Sequence, residues 1–455
     1  MGEREPVAID PARVEALTKE QVALLEERWA GSLEFAKRAG RSLAGGVSCA
    51  WHALDPYTLY GSHGRASRLW DIDGNEYVDL HNGYGVTIVG HAHPKVVEAV
   101  SRRVALGTHF ALPTEDSVIV AEDLQRRFGL PLWRFKNTGS EATVDAVRIM
   151  RAATGRDLIV KVEGAYHGSG DGLAFSYWID PAEGGPREAP VPVANTGGIP
   201  AVYAQPLRVV SYNDLAAVER ILADEGDRVA GMILEPIMMN SGVILPDEGY
   251  LASLRDLLHR HGALLTFDEV KTGVTIAPGG AVEWTGVTPD LVTLAKAIGG
   301  GIPISAIGGT EEVMRVVFDG TMDQEGTFNA NPLSVAASRA VLTEILTPDV
   351  YERFDEQDRV LSGGVAGVIE RHRLPARVVS VRCRGSVHFR AEPVRDFRDH
   401  VATDGALAHL AWLYQLNGGV FPPAGDPWTF SLAHTDEDLQ RSVDAFERFA
   451  ADVIG

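Results

Sequence analysis

From about Pro94 onward, short apolar runs alternate with stretches of helical character, and few architectures accept that order. Leu158-Ile-Val-Lys-Val162, Gly231-Met-Ile-Leu234, Leu264-Leu-Thr-Phe267 and Leu291-Val-Thr-Leu294 read as buried strands lying between helices. Runs that are apolar on both faces belong in a parallel sheet covered by helices on either side. The pattern therefore predicts an α/β fold with a mostly parallel central sheet. At 455 residues the chain exceeds a single core, so a second, smaller domain is expected. Residues 1–85 read as an N-terminal helix and hairpin segment, 86–345 as the large domain, and 346–455 as a smaller α+β domain. Within the first segment, one helix is predicted from about Pro11 to Arg41. The alternation around Asp73-Gly-Asn75 predicts a hairpin over 67–80. The Pro/Gly-rich stretch Ser176–Gly198 predicts a long loop.

Charge and cysteine content remove several function classes. Forty-two basic against 62 acidic residues give a net charge of −20, which disfavours nucleic acid as a partner. The same field suits a cationic small molecule, although a solubility adaptation is the simpler explanation. Two cysteines, Cys49 and Cys383, provide neither a disulfide framework nor a metal cluster. His91-Ala-His93 precedes Pro94 and a helix with no third ligand nearby, so no metal site is expected. No apolar stretch is long enough for a bilayer, and the charged start is unlike a signal peptide. The expected setting is the cytoplasm.

Three segments carry chemistry. In Asn137-Thr-Gly-Ser-Glu-Ala142 a strand gives way to a helix at Gly139-Ser140. Amide N–H groups and the dipole at such a helix start suit a phosphate, though a helix-start serine is equally an ordinary cap. Asp268 stands where an apolar strand runs into a loop, the usual ligand edge of open α/β sheets. A carboxylate there can hold a protonated ring nitrogen or simply cap a turn. Lys296 ends another apolar strand and is followed closely by Gly299-Gly-Gly301, which allows the backbone to approach something bulky. A partly desolvated lysine has a lowered pKa and can form an imine. The chain has seven lysines, and the rival is Lys271, expected to face solvent from a polar turn. No Gly-x-Gly-x-x-Gly follows a strand, so a nicotinamide cofactor has no support.

With these stand Trp70-Asp-Ile-Asp-Gly-Asn-Glu-Tyr-Val-Asp79, Gly90-His-Ala-His-Pro94, Glu163-Gly-Ala-Tyr-His-Gly168, Leu234-Glu-Pro236, Asp268-Glu-Val270 and Gly326-Thr-Phe-Asn-Ala-Asn-Pro332. In that order, over roughly residues 40–450, the chain resembles the class III (ω-) aminotransferases of pyridoxal 5′-phosphate (PLP) fold type I, the aspartate aminotransferase-like fold. Within them it looks closest to the glutamate-1-semialdehyde aminomutase and β-amino-acid aminotransferase branch. The resemblance implies that residues 86–345 form the PLP-binding domain and that Lys296 binds PLP as a Schiff base, then moves protons. It further implies that Asp268 bonds the pyridine nitrogen, that Tyr166 and Val270 press on the ring faces, and that Gly139 and Ser140 hold the phosphate. His167 and Glu235 join the cofactor pocket. Thr327 is expected to reach the phosphate of a neighbouring subunit, which makes the enzyme a homodimer with shared sites.

The substrate side departs from the family pattern. Between Arg398 and Arg441 there is no arginine or lysine, and Phe421–Ser431 is neutral except for Asp426. A planar guanidinium is the usual clamp for a carboxylate, so another arginine must serve or the substrate lacks that group. Acidic Asp323, Glu325 and Asp426 favour a polycation, and the family includes aminoglycoside-biosynthesis members of the gentamicin type. An aminotransferase on an amino-sugar is thus the main expectation. The alternatives are an epimerase or aminomutase on such a substrate, and a β-/ω-amino acid aminotransferase. Substrate-side candidates are Cys49, Trp51, Tyr84 and Glu325, with Cys49 as a second acid–base group for an epimerase.

Overall fold

The structure is a computed structural model that describes residues 6–55 and 58–455. It divides into two compact units, one of Pro94–Tyr351 with Val394–Ala402, the other of Met1–His93, Glu352–Pro393 and Thr403–Gly455.

The first of these is built on a seven-stranded sheet. Its order across the sheet is Leu132–Lys136, Ser305–Gly309, Leu291–Leu294, Leu264–Asp268, Val229–Leu234, Leu158–Val162 and Leu207–Val210. Only Ser305–Gly309 runs antiparallel to its neighbours, and the remaining pairings are parallel. Every residue of Leu158–Val162 and of Val229–Leu234 is buried, so both faces of the sheet are covered. The helix Gly139–Thr154 packs across the strands, and its Ala142, Ala146, Ile149 and Met150 join Ile159, Ile233 and Leu291 in one core. Gly155 ends that helix in the left-handed conformation, φ 68°. Residues 177–193 contain no helix or strand, as a Pro/Gly-rich loop predicts.

In the second unit Arg68–Asp71 and Glu76–Asp79 form the expected hairpin, extended by Gly61–Arg65 and by Val420–Phe421. A three-stranded sheet of Arg377–Val381, Arg384–His388 and Trp428–Thr429 lies in the same unit, with the helices Gly405–Asn417 and Asp436–Ile454. The single helix predicted over 11–41 is instead two, Pro11–Arg28 and Ala30–Ala39. Trp29 breaks it. Its ring is fully buried with Leu25, Trp412, Leu413 and Leu416, and its Nε1 donates to the Tyr77 hydroxyl at 2.7 Å. The Asp73 carboxylate then accepts from Gly31 N and, at 2.8 Å, from Ser32 N, capping the second helix from a turn far along the chain.

Candidate active site

The strands Leu264–Asp268 and Leu291–Leu294 are parallel neighbours with Asp268 opposite Thr293. That register brings the strand-end carboxylate and Lys296 to the same sheet edge. Asp268 is buried and fully engaged on one oxygen, where Oδ1 accepts from Val270 N at 3.0 Å and from Thr293 Oγ1 at 3.3 Å. Its Oδ2 faces His167 Nδ1 at 2.7 Å. Lys296 is half-buried and has φ 48°, a conformation that costs a side-chain-bearing residue roughly 1–2 kcal/mol. Such strain persists where the surroundings over-determine it, often at functional positions. Of the glycines that follow, Gly299 approaches the chain's own Ile304, while Gly300 and Gly301 take φ 55° and 106°.

The start of Gly139–Thr154 closes on the same place. Thr138 and Glu141 form a reciprocal capping box. The N–H groups of Gly139 and Ser140 come before Ala142 N, the first to donate within the helix (to Thr138 O at 3.1 Å), and stay available to an anion. A methyl group at Gly139 would stand 3.1 Å from both Val270 methyls and 3.6 Å from Ala295 Cβ, so the helix start is wedged between the residues after Asp268 and before Lys296. Ser140 abuts Gly168, where a methyl would sit 2.5 Å from Ser140 Oγ, and Ser169 N donates to that oxygen at 3.2 Å.

Tyr166 and His167 complete the group. Tyr166 N donates to Glu235 Oε1 at 3.1 Å, and Glu235 also accepts from Met239 N at 2.8 Å and Asn240 Nδ2 at 2.8 Å. Burial raises the Glu235 carboxyl above its ordinary range, with His167 and Lys271 pulling the other way. His167 is buried; its Nδ1 is taken by Asp268, and its Nε2 has no hydrogen-bond partner among the described residues. Gly139, Ser140, Tyr166, His167, Glu235, Asp268, Val270 and Lys296 thus lie at one edge of one sheet. Thr327 is exposed, in the loop whose Asn329 Oδ1 accepts from Asn137 Nδ2 at 3.3 Å. Among the described residues, no group of three or more His, Cys, Asp or Glu side chains could hold a metal ion.

Lys271 does not face solvent. It is 7% exposed, because residues 271–277 fold inward as a buried turn in which Thr275 Oγ1 donates to Lys271 O at 2.9 Å. Two buried ionisable groups escaped sequence reasoning. Glu269 has its carboxyl pushed up to about 7 by burial while accepting from Ala281 N at 2.5 Å and Thr272 Oγ1 at 2.9 Å. Lys161 lies wholly inside the sheet. Only its place in an otherwise apolar run signalled it.

Of the substrate-side candidates, three meet in the other unit. Trp51 and Tyr84 rings are 5.4 Å apart, and Tyr84 OH donates to Trp51 O at 2.9 Å. Burial, then Asp426, then exposed Cys49 push the Tyr84 hydroxyl up to about 12. Asn82, Gly83 and Tyr84 take φ 45°, 61° and 60° in succession, a turn held by Asp79 Oδ1 accepting from His81 N at 2.9 Å and Asn82 N at 2.8 Å. Beneath it, the buried Arg384 guanidinium donates to Thr429 Oγ1 at 2.8 Å and lies where any Gly85 side chain would be. Glu325 is not among them. It belongs to the sheet unit, where Lys136 Nζ donates to its backbone carbonyl at 2.7 Å.

The family profile described as aminotransferase class-III matches residues 52–406. A glutamate-1-semialdehyde 2,1-aminomutase from Syntrophobacter fumaroxidans is 38% identical over 414 residues, covering 90% of this chain and 94% of that protein. The crystal structure of a glutamate-1-semialdehyde aminomutase from Pseudomonas aeruginosa PAO1 superposes with TM-score 0.90 at 31% identity, over 98% of this chain and 100% of that one. A lysine-to-alanine variant of that enzyme has been solved in complex with PMP. An ω-transaminase from Sphaerobacter thermophilus gives TM-score 0.88 at 32% identity, over 93% and 98% of the two chains.

Proposed function

Because the chain belongs to the class-III aminotransferase family, we propose that it relocates an amino group within one substrate, as an isomerase of the aminomutase kind. Its fold is PLP fold type I, and PLP is its cofactor. When bound, PLP supplies an aldehyde that captures amines and a ring that withdraws electrons from the adjacent carbon. The observation that carries the reading is the convergence of Lys296, the Asp268–His167 pair and the Gly139-Ser140 helix start at one sheet edge. The isomerase assignment rests on the 38% identity to an aminomutase across nine-tenths of the chain.

Each side chain has a defined task. Lys296 Nζ would be the covalent attachment point and, once freed by the substrate amine, the acid and base for a 1,3-proton shift across the imine nitrogen. Asp268, held by Val270 N, Thr293 and His167, presents a fixed negative charge to the ring nitrogen. Gly139 and Ser140 offer N–H groups and a hydroxyl to the phosphate. Tyr166 and Val270 take the two ring faces, with Glu235 fixing the Tyr166 backbone. Thr327 serves a second copy of the chain. Supporting a homodimer, exposed Leu106, Phe110 and Leu112 form an apolar strip next to that loop, where His109 and Phe328 rings are 5.5 Å apart.

An aminotransferase acting on a cationic amino-sugar is the second reading, favoured by Asp426 beside Tyr84 and by the lack of any arginine or lysine from 399 to 440. The two separate with ¹⁵N-labelled glutamate 1-semialdehyde given to the holoenzyme alongside an unlabelled amino donor. Full retention of label in the rearranged product is expected. Dilution of the label by the donor would overturn the isomerase reading. So would inertness toward this substrate together with conversion of the cofactor's absorption by an aminoglycoside amine, and that result would install the second reading.

A further inference from the structure

Lys161 is the central charge of the strand Leu158–Val162 and is completely shielded from solvent. A charged group there is costly unless the fold uses it. Its Nζ donates to two main-chain carbonyls, Ala165 at 3.1 Å and Phe175. These carbonyls stand at opposite ends of one loop, whose base is also closed by Gly164 N donating to Ser176 O at 2.7 Å. The loop begins with Tyr166 and His167. Other buried side chains hold its next residues: Glu235 takes Tyr166 N, Thr143 Oγ1 donates to His167 O at 2.6 Å, and Asp268 takes the His167 ring. Without Lys161, nothing in this series would tie the loop's entry to its exit through a side chain. Glu163 and Glu235 supply the compensating negative charge, and Glu163 is itself clamped by Arg398 at 2.8 and 2.9 Å. Burial pulls the Lys161 ammonium down to about 7, and Nζ is a hydrogen-bond donor in either protonation state.

We propose that Lys161 is the positioning residue of the active-site loop: by gripping the carbonyls of Ala165 and Phe175 it presets Tyr166 and His167 for the cofactor before the cofactor arrives. The inference deepens the cofactor assignment and rests on it for its second readout alone. Lys161→Met keeps the length of the side chain and removes the donors. Lys161→Leu likewise removes the donors and carries the test if the methionine variant does not fold. Hydrogen exchange on the cofactor-free protein is expected to speed up about tenfold or more across 164–176 and to stay unchanged in the neighbouring strands, since a charge-assisted hydrogen bond has been lost. PLP titrated by absorbance is expected to bind about tenfold more weakly. Unchanged exchange in the loop overturns the proposal. A uniform rise over the whole sheet overturns it as well, because that is what a purely structural core residue would give. Failure of the unaltered protein to bind PLP would instead sink the cofactor assignment and leave the exchange comparison to decide the role of Lys161.

Discussion

At Asp268 one carboxylate oxygen is saturated by Val270 N and Thr293, and the other meets His167. That arrangement holds the carboxylate in one orientation, which is what the proposed partner of a ring nitrogen needs. Asp268→Asn keeps the shape and removes the charge, so kcat should fall roughly 10²-fold or more while the fold survives. Steady-state rates with matched thermal melts check this. His434 tests a different balance. Burial pushes its imidazole down to about 4 from 6.5, so the folded state favours the neutral ring. The stability this represents is intact above pH 6.5 and is lost as pH falls toward 4. Between pH 7 and 5 the loss should reach about 2 kcal/mol, and His434→Gln should remove most of that dependence, as read by denaturant unfolding at the two pH values. Lys296 and Asp268 were legible in the sequence because each ends an apolar strand. The burial of Lys161, Glu269 and Lys271 was not, since only tertiary neighbours decide whether a charged side chain after a strand turns inward.

Among the elements, the strands that are apolar throughout kept nearly their predicted bounds, because their composition alone demands cover on both faces. Ser305–Gly309 was not foreseen: two of its five residues are glycines, and there Gly308 abuts the Trp133 ring while Gly309 abuts Leu291 and Met314. The break at Trp29 likewise depends on Asp73, too distant in sequence for any periodicity to reveal. Two element-scale outcomes follow from the contacts. Thr138→Ala removes half of the capping box of Gly139–Thr154 and should cost about 1 kcal/mol of unfolding free energy, seen as a shift in denaturation midpoint. Gly85→Ala should cost more, about 2–4 kcal/mol, because the added methyl meets the Arg384 guanidinium and the backbone is held at φ 83°.

For the whole molecule, the placement of Thr327 makes a sharp prediction. Lys296→Ala and Thr327→Glu homodimers should each be nearly inactive. If every site draws Lys296 from one subunit and Thr327 from the other, a mixed dimer contains one intact site. Unfolding and refolding an equimolar mixture should then recover roughly a quarter of wild-type activity. No recovery despite proven heterodimers would refute sharing. The domain plan drawn from sequence ran the large domain without interruption, since nothing in residues 394–402 distinguishes them from their surroundings. In the structure that short piece belongs with the sheet.

Arg398 sits in this piece and supplies both hydrogen bonds to Glu163, three residues before Tyr166. A polypeptide emerging from the ribosome therefore finishes all seven strands long before it can seat that guanidinium. Until residue 398 is out, the Glu163 carboxylate waits without its fork. A protein truncated at Tyr351 should for the same reason lay down its sheet and still misplace the segment carrying Tyr166 and His167.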